Sequence, residues 1–437
     1  MREVIFFLSD IAIAKKKQKT TMEEIYLDDT QQEAVDLAES GHHVFLTGSA
    51  GVGKSFVLAH IIAKLKESKK QVAVTASTGI AAVNIKGCTI WNYFRLHPNM
   101  VKDNKLKSQL AWKNLTTLII DEISMIDPSL FVFLHRQAQL TRKSQEPFGG
   151  VQLILSGDMF QLPPIMPGQP VKFVFETELW KLLNIQSVEL KTVHRQDNAE
   201  FVAILNRIRK GVYTNSDAQA LSKKRKRVGD DHGIRPTKLY CLNRNVNMDN
   251  KQALADLSTE RKQYMVTSRF EGAKVSPDRQ KKLLNSALKN LPVSETLVLK
   301  VDAQVMLTVN LSVAHGLANG SRGVVTAFDE KTGYPIVQFE HHKLLIRPHD
   351  WEVHVNAKTK LIVCCIPLKL AWALSIHKSQ GQSITHLEVN LSNVFAEGQA
   401  YVALSRATSL DGLVVKGYSQ QSVKVNPRVL AFYETMV

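Results

Sequence analysis

The sequence predicts an α/β fold of the doubly wound kind, with a smaller β-rich segment inserted late in the chain. Three observations carry this expectation. The short apolar stretch Val44-Phe45-Leu46-Thr47 runs into Gly48-Ser49-Ala50-Gly51-Val52-Gly53-Lys54-Ser55, and helical periodicity follows from Phe56 to Lys66, with Val57, Leu58, Ile61, Ile62 and Leu65 on one side. Continuous apolar runs recur at Leu115 to Ile120, closed by Asp121-Glu122, and at Val151 to Leu155, closed by Ser156-Gly157-Asp158. Runs without alternation suit strands covered on both faces of a parallel sheet. From Thr296 the period changes to two, with short strands at 303–309, 323–328, 335–339, 344–348 and 359–367, which predicts a small β-barrel inserted into a second α/β domain.

The glycine-rich segment fits G-x-x-x-x-G-K-[ST] in its proper context of strand, turn and helix start. Gly48, Gly51 and Gly53, with Val52 between them, let backbone N–H groups turn towards phosphate, and the helix N-terminus adds positive potential. Lys54 can reach the outer phosphates, and the Ser55 hydroxyl can hold Mg²⁺. Asp121 would hold the same ion through water, and Glu122 would polarise an attacking water. Gln161, in Met159-Phe160-Gln161-Leu162-Pro163-Pro164, can sense a terminal phosphate. Gln31 offers a donor and an acceptor together and could read an adenine edge, although a Gln on a solvated helix face is commoner.

At 437 residues and 44% hydrophobic, the chain can bury more than one core. Its formal net charge of +16 exceeds what one nucleotide needs and points to a polyanion. Cys88, Cys241, Cys364 and Cys365 have no metal-ligand spacing and read as free thiols in a reducing compartment. No apolar run approaches the ~18 residues that span a bilayer. Residues 1–21 read as a variable extension: Lys15-Lys16-Lys17 follows the apolar part where a secretory signal would have it first.

Gln71 to Thr75 is a strand leading into Ala76-Ser77-Thr78-Gly79, small and hydroxylated, suited equally to a polymer backbone and to an ordinary helix cap. Trp91, Tyr93 and Phe94 can pack in a core or stack on bases. A second set of alternations begins near Ser187-Val188-Glu189-Leu190. Lys223-Lys224-Arg225-Lys226-Arg227 is a solvated loop, a nuclear import signal or a nucleic-acid contact. Residues 259–290 are polar and weakly patterned, and Asn319-Gly320-Ser321-Arg322-Gly323 reads as a turn with a cation at its tip. Arg195 and Arg406 stand among motif-like neighbours, and an arginine from a second domain can neutralise a transferring phosphate.

Taken together these motifs resemble one family, the superfamily 1 DNA helicases of the petite-integration-frequency (Pif) family, relatives of the RecD helicases. The matching pieces are GSAGVGKS at 48–55, VTASTGIAA at 74–82, IIDEISMID at 119–127, GDMFQLPP at 157–164, HRQ at 194–196, AWALSIHKSQGQS at 371–383 and YVALSRA at 401–407. They fall in the family's order and cover nearly everything from 27 to 413. Residues 129–150 resemble the segment that separates Pif helicases from RecD ones.

The resemblance implies two RecA-like P-loop domains. The first would span 22–190, with a short wedge at about 88–114. The second would comprise 191–258 and 367–437, and an inserted domain with an SH3-like barrel would occupy 259–366. It implies ATP and Mg²⁺ as ligands, with Lys54, Ser55, Asp121, Glu122, Gln161, Arg195 and Arg406 forming the hydrolytic site and Gln31 on adenine. DNA contacts would come from Thr75, Ser77, Thr78, Thr89, Trp91, Asn319, His377, Lys378 and Ser379. Trp91-Asn92 stands where the family usually has His-Ser in G-x-T-I-H-S-F, which exchanges a family hydrogen bond for stacking. The implied activity is 5′→3′ translocation and unwinding of tailed or forked DNA in replication, recombination or repair. The protein would act as a monomer, or a dimer on DNA, in the nucleus, the mitochondrion or a viral setting. The short sequence outside the motor implies no regulatory domain. Rival readings are a translocase that displaces proteins, a scaffold using ATP as a conformational ligand, which has no need of Glu122, and a small-molecule kinase, which does not account for the second α/β domain.

Overall fold

The structure, a computed structural model, describes residues 27–436 apart from 167, 197, 224–232, 273–274, 292, 313–316, 318 and 357–358. The extension 1–21 and the basic run beyond Lys223 therefore lie outside the described residues. Two compact units emerge, the larger from Asp29–Val228, Pro236–Met248 and Ala373–Val437, the smaller chiefly from Asp249–Trp372.

The larger unit holds two parallel sheets. The first has six strands: β1 (Val44–Gly48), β2 (Val72–Ala76), β3 (Cys88–Thr89), β4 (Thr117–Asp121), β5 (Gln152–Ser156) and β6 (Gln186–Leu190), in the order β3-β2-β4-β5-β1-β6. Every residue of β1, β4 and β5 is buried, as their uninterrupted apolar sequences require. Register fixes the functional edge: Asp121 pairs with Ala76 on one side and Ser156 on the other, and Ser156 pairs with Leu46. The phosphate-loop segment, the paired acids and the Gln161 loop thus leave the same edge of the sheet. The strand Gln186–Leu190, near which a second set of alternations was read to begin, is an edge strand of this first sheet, because Val188 pairs with Leu46 of β1, and so falls within the 22–190 expected for the first domain.

Phe45, Ile120, Phe131, Phe148 and Trp180 lie in the core beside this sheet. Segment 88–114 is anchored there by Phe94 stacked on Trp112 at 4.1 Å, and the Trp112 indole donates to Gln137 at 3.1 Å. The C-terminal helix Pro427–Glu434 also joins this core through Val429 and Phe432, the latter stacked on Phe175 at 4.2 Å. This corrects the expectation that all of 367–437 belongs with the second sheet. A helix this rich in aromatics goes where a matching apolar face is open.

The second sheet consists of Ala373–Ser375, Thr237–Tyr240, Leu387–Asn390 and Leu413–Lys416, in that order and all parallel. Among its helices are Ala199–Arg209 and Gln399–Leu404.

The smaller unit is antiparallel. Five short strands, Lys343–Leu345, Pro335–Phe339, Arg322–Phe328, Gln304–Leu307 and Leu368–Leu370, form one sheet. His349–Asn356, Thr359–Cys365 and Thr267–Gly272 form a second, and Arg261–Met265 pairs with Thr296–Lys300. The weakly patterned 259–290 thus contains two strands and the helix Pro277–Asn290. Arg261–Met265 alternates only between exposed and half-buried positions, so little of its sequence needed to be apolar. Arg322 is also corrected: it pairs with Met306 inside the sheet, is buried, and has its pKa lowered to about 10 by that burial. Among the described residues no helix is long and apolar enough to cross a membrane.

Candidate active site

β1 ends in Gly48 at φ 138°, and the loop continues through Gly51 at φ 88°. A Cβ at Gly48 would lie 2.4 Å from the Leu190 carbonyl oxygen, and one at Gly51 would lie 2.6 Å from Arg195 Cβ. Both conformation and space therefore demand glycine here, leaving a concave run of backbone that suits phosphate. Gly53 caps the helix Lys54–Glu67. The half-buried Lys54 ammonium donates to the Gly48 and Ser49 carbonyl oxygens, both at 2.9 Å. Burial lowers its pKa, opposed by the charges of Asp158 and Glu122. Ser55 is exposed, and buried Gln31 has its amide nitrogen against Gly53.

Asp121 and Glu122 are held together at the end of β4. The Asp121 carboxylate accepts the Glu122 N–H at 3.0 Å. Burial raises the pKa of both. For Glu122 it reaches about 7, with the Asp121 charge adding to burial and Lys54, Arg406 and a hydrogen bond from Gln380 opposing it. Glu122 also adopts φ 54°, in the left-handed region, a strain typical of functional sites. Gln380 joins this group to the phosphate-sensing candidate: its amide donates to Glu122 Oε2 at 2.9 Å and to Gln161 Oε1 at 3.3 Å.

Arg195 and Arg406 lie close enough to Glu122 to act on it through their charges. Arg195 Nη1 donates to the Ser405 carbonyl at 3.2 Å, beside Gln196, whose amide donates to the Ala407 carbonyl at 2.9 Å. His194 N–H donates to the Gly51 carbonyl at 2.8 Å, so this segment lies against the phosphate loop. Arg406 is 1% exposed and is held by uncharged acceptors: the Val402 carbonyl at 2.9 Å, the Gln382 carbonyl at 3.4 Å and Ser405 Oγ at 2.8 Å. Burial, reinforced by Arg195, brings its pKa down to about 9, while Glu122 pulls it back up. A buried cation without its own carboxylate is a site for an arriving anion.

The groups fit a magnesium nucleotide. Among the described residues no cluster of three or more His, Cys, Asp and Glu could hold a metal ion. A divalent cation at Ser55 and Asp121 would complete its shell with water and substrate phosphate, as Mg²⁺ does.

The DNA-contact candidates divide. Lys378 is exposed, and His377 is half-buried with its pKa lowered by burial, so it favours the neutral form. Thr78 Oγ1 caps the following helix by accepting the Ala81 N–H at 3.3 Å, and Thr89 does the same for Asn92. The Ser77 hydroxyl is buried without a partner among the described residues. Trp91 is partly buried against the core of the first sheet. Asn319 belongs to the smaller unit, where its N–H donates to Asn310 at 2.7 Å. Two expectations are corrected. Thr75 is buried and donates to the Ile119 carbonyl at 2.6 Å, and Ser379 is buried and donates to Ile376 at 2.8 Å. Both hydroxyls are consumed inside the fold.

Gln380, Gln196, Asp158, Tyr401 and Arg209 escaped the sequence analysis as site residues. Gln380, Gln196, Asp158 and Tyr401 had a signal, since each sits inside a quoted motif, whereas Arg209 had none.

The family described as PIF1-like helicase matches residues 15–219, and the DNA helicase Pif1 2B domain matches 282–328. The ATP-dependent DNA helicase PIF1 of Xenopus laevis is 37% identical over 98% of this chain and 67% of its own length. The chain spans about two thirds of the length of the curated relatives it matches. The crystal structure of Pif1 helicase from Candida albicans is similar with a TM-score of 0.76 and 34% identity, covering 94% of this chain and 100% of that one. The Bacteroides Pif1 helicase in complex with ADP-AlF3 and ssDNA has a TM-score of 0.66 at 28% identity, covering 94% and 97%. A phosphate loop, paired acids and two arginines within electrostatic range of Glu122 occur here in a chain that matches such relatives along nearly its whole length, and the chain belongs to the PIF1-like helicase family.

Proposed function

We propose that this chain is the motor of an ATP-dependent DNA helicase, which hydrolyses ATP, moves 5′→3′ along single-stranded DNA and separates tailed or forked duplexes in replication, recombination or repair. The observation that carries this is that groups from both parallel sheets surround Glu122, Gln380 by a hydrogen bond and the cations by their charges. Lys54 comes from the first, while Arg195, Gln380 and Arg406 come from segments that accompany the second. A binding scaffold needs no such convergence, because only hydrolysis requires an activated water beside charge-neutralising cations.

The loop Gly48–Ser55 cradles the phosphates, Val52 included, and Gln31 takes the adenine. Mg²⁺ held by Ser55 and Asp121 would offset the charge of the transferred phosphoryl group. Glu122 accepts the proton of the attacking water, a role that suits a carboxyl with a pKa of about 7. Gln161 reads the terminal phosphate, and Arg195 and Arg406 neutralise developing charge. Through Gln380, which adjoins Lys378 and Ser379, the state of this site couples to the DNA contacts at Ser77, Thr78, Thr89, Trp91, Asn319, His377 and Lys378. The two sheets are the RecA-like domains, the short helices of 88–114 form the wedge, and the five-stranded antiparallel sheet is the SH3-like part of the inserted domain. The motor acts as a monomer, or as a dimer on DNA, in the nucleus or mitochondrion. The net charge of +16 supports a DNA partner.

A strand-displacement assay with 5′-tailed and 3′-tailed duplexes tests polarity and unwinding together. Displacement of only the 5′-tailed substrate, with ATP turnover stimulated by single-stranded DNA, is expected. Turnover indifferent to DNA would count decisively against the motor.

A further inference from the structure

A second cluster of buried charge adjoins the phosphate loop, centred on Asp158. This carboxylate is 0% exposed and accepts Arg209 Nη2 at 3.0 Å on Oδ1 and Nε at 3.1 Å on Oδ2. Two tyrosine hydroxyls converge on it, Tyr401 at 3.2 Å and Tyr433 at 3.4 Å. Each also reaches the loop. Ala50 N–H donates to the Tyr401 hydroxyl at 2.7 Å, and Thr47 Oγ1 lies 2.6 Å from the Tyr433 hydroxyl, which also accepts the Met159 N–H at 3.2 Å.

These contacts form two parallel relays, Ala50 to Tyr401 to Asp158 and Thr47 to Tyr433 to Asp158, ending on the acceptor that Arg209 grips. Both phenols are kept protonated by burial, so each has a hydrogen to donate. Burial disfavours the Arg209 cation, but Asp158 more than offsets this and raises its pKa. The guanidinium further stacks over Phe160 at 4.5 Å and Tyr433 at 5.1 Å. Asp158 also fixes the Gln161 loop, since its carbonyl accepts the Gln161 N–H at 3.0 Å.

We propose that Tyr433, delivered by the C-terminal helix Pro427–Glu434, is a positioning residue of the nucleotide site. With Tyr401 it ties Thr47 and Ala50, which bracket the start of the phosphate loop, to the buried Asp158. The helix at the end of the chain thereby sets the loop that receives the triphosphate. This rests on assigning Gly48–Ser55 to ATP. Phe432 supplies the packing of the same helix, so removing the Tyr433 hydroxyl separates positioning from attachment.

The test is Tyr433→Phe, Thr47→Val and their double variant in the full chain. Steady-state ATPase with saturating single-stranded DNA gives KM and kcat separately, and binding of a fluorescent ADP is measured alongside. Tyr433→Phe is expected to raise KM for ATP and the Kd for ADP about tenfold, the effect of one unmade buried hydrogen bond, with a much smaller change in kcat. Thr47→Val should raise both constants in the same direction but by no more, and the double variant should be no worse than Tyr433→Phe, because that variant already removes the Thr47 contact along with those to Asp158 and Met159. Unchanged KM in the single variants, or additive effects in the double, overturns the proposal, whatever happens to thermal stability. Should Tyr433→Phe fail to fold, Thr47→Val supplies the same reading of KM. Lys54→Ala separates the two levels: retained turnover there would sink the ATP-site assignment itself, whereas lost turnover with an unaltered Tyr433→Phe enzyme sinks only the positioning role.

Discussion

The two clusters of buried charge that flank the phosphate loop solve opposite problems. Around Asp158 the charge is matched: Arg209 grips the carboxylate through three contacts and its pKa rises. Around Glu122 the cations are held by backbone carbonyls and a hydroxyl, and the pKa of Arg406 falls to about 9. A satisfied pair orders the structure and has nothing left to give. A desolvated arginine facing uncharged acceptors costs free energy until an anion arrives, so it is poised for charge that appears on the substrate. Burial alone does not mark a functional arginine; what matters is whether its counter-charge already belongs to the fold.

That contrast can be broken by exchanging roles. The largest effect is expected for Arg406→Ala, which should lower ATP turnover by about 10³-fold or more while leaving the thermal midpoint undiminished. A midpoint that collapses would make Arg406 structural. Glu122→Gln should follow at about 10²- to 10⁴-fold in turnover, with nucleotide binding retained, as read by fluorescent ADP. Arg209→Ala belongs to the other class. It leaves Asp158 buried and unpaired and should destabilise the fold by about 3–5 kcal/mol in denaturant titration. Replacing both members of that pair by apolar residues of similar size should recover much of this loss, which a catalytic role for Arg209 would not permit. Smallest is Lys378→Ala. As an exposed cation it should weaken single-stranded DNA binding only a few-fold and reduce the salt slope by about one. An unchanged slope would remove Lys378 from the DNA contacts.

Much of the first sheet was legible because its strands are buried on both faces, so composition alone betrays them. The expected strand at Val44–Thr47 and helix from Phe56 appear as Val44–Gly48 and Lys54–Glu67. Segment 259–290 was opaque for the converse reason: its strands and helix bury little, and Pro277–Asn290 has Ala287 as its one deeply buried side chain among the described residues. Hydroxyl residues were the least reliable site candidates. Thr75 and Ser379 occupy motif positions, yet backbone carbonyls nearby consume their donors. Arg322 looked like a turn cation because the strand that buries it starts at that residue, and a boundary one residue earlier inverts its environment.

The sequence by itself marked the loop proposed to receive phosphate, the acids proposed to face it and the arginines that were candidates to answer it. Those functions depend on residue type and local spacing, which a chain carries along its length. Only the tertiary structure decided that Tyr401, Arg209 and Tyr433 meet at Asp158, and that the last helix docks beside β1. Periodicity reveals that a helix has an apolar face but carries no information about which distant surface will cover it. Contacts spanning 51 to 275 residues of chain are chosen by the packing of the whole unit.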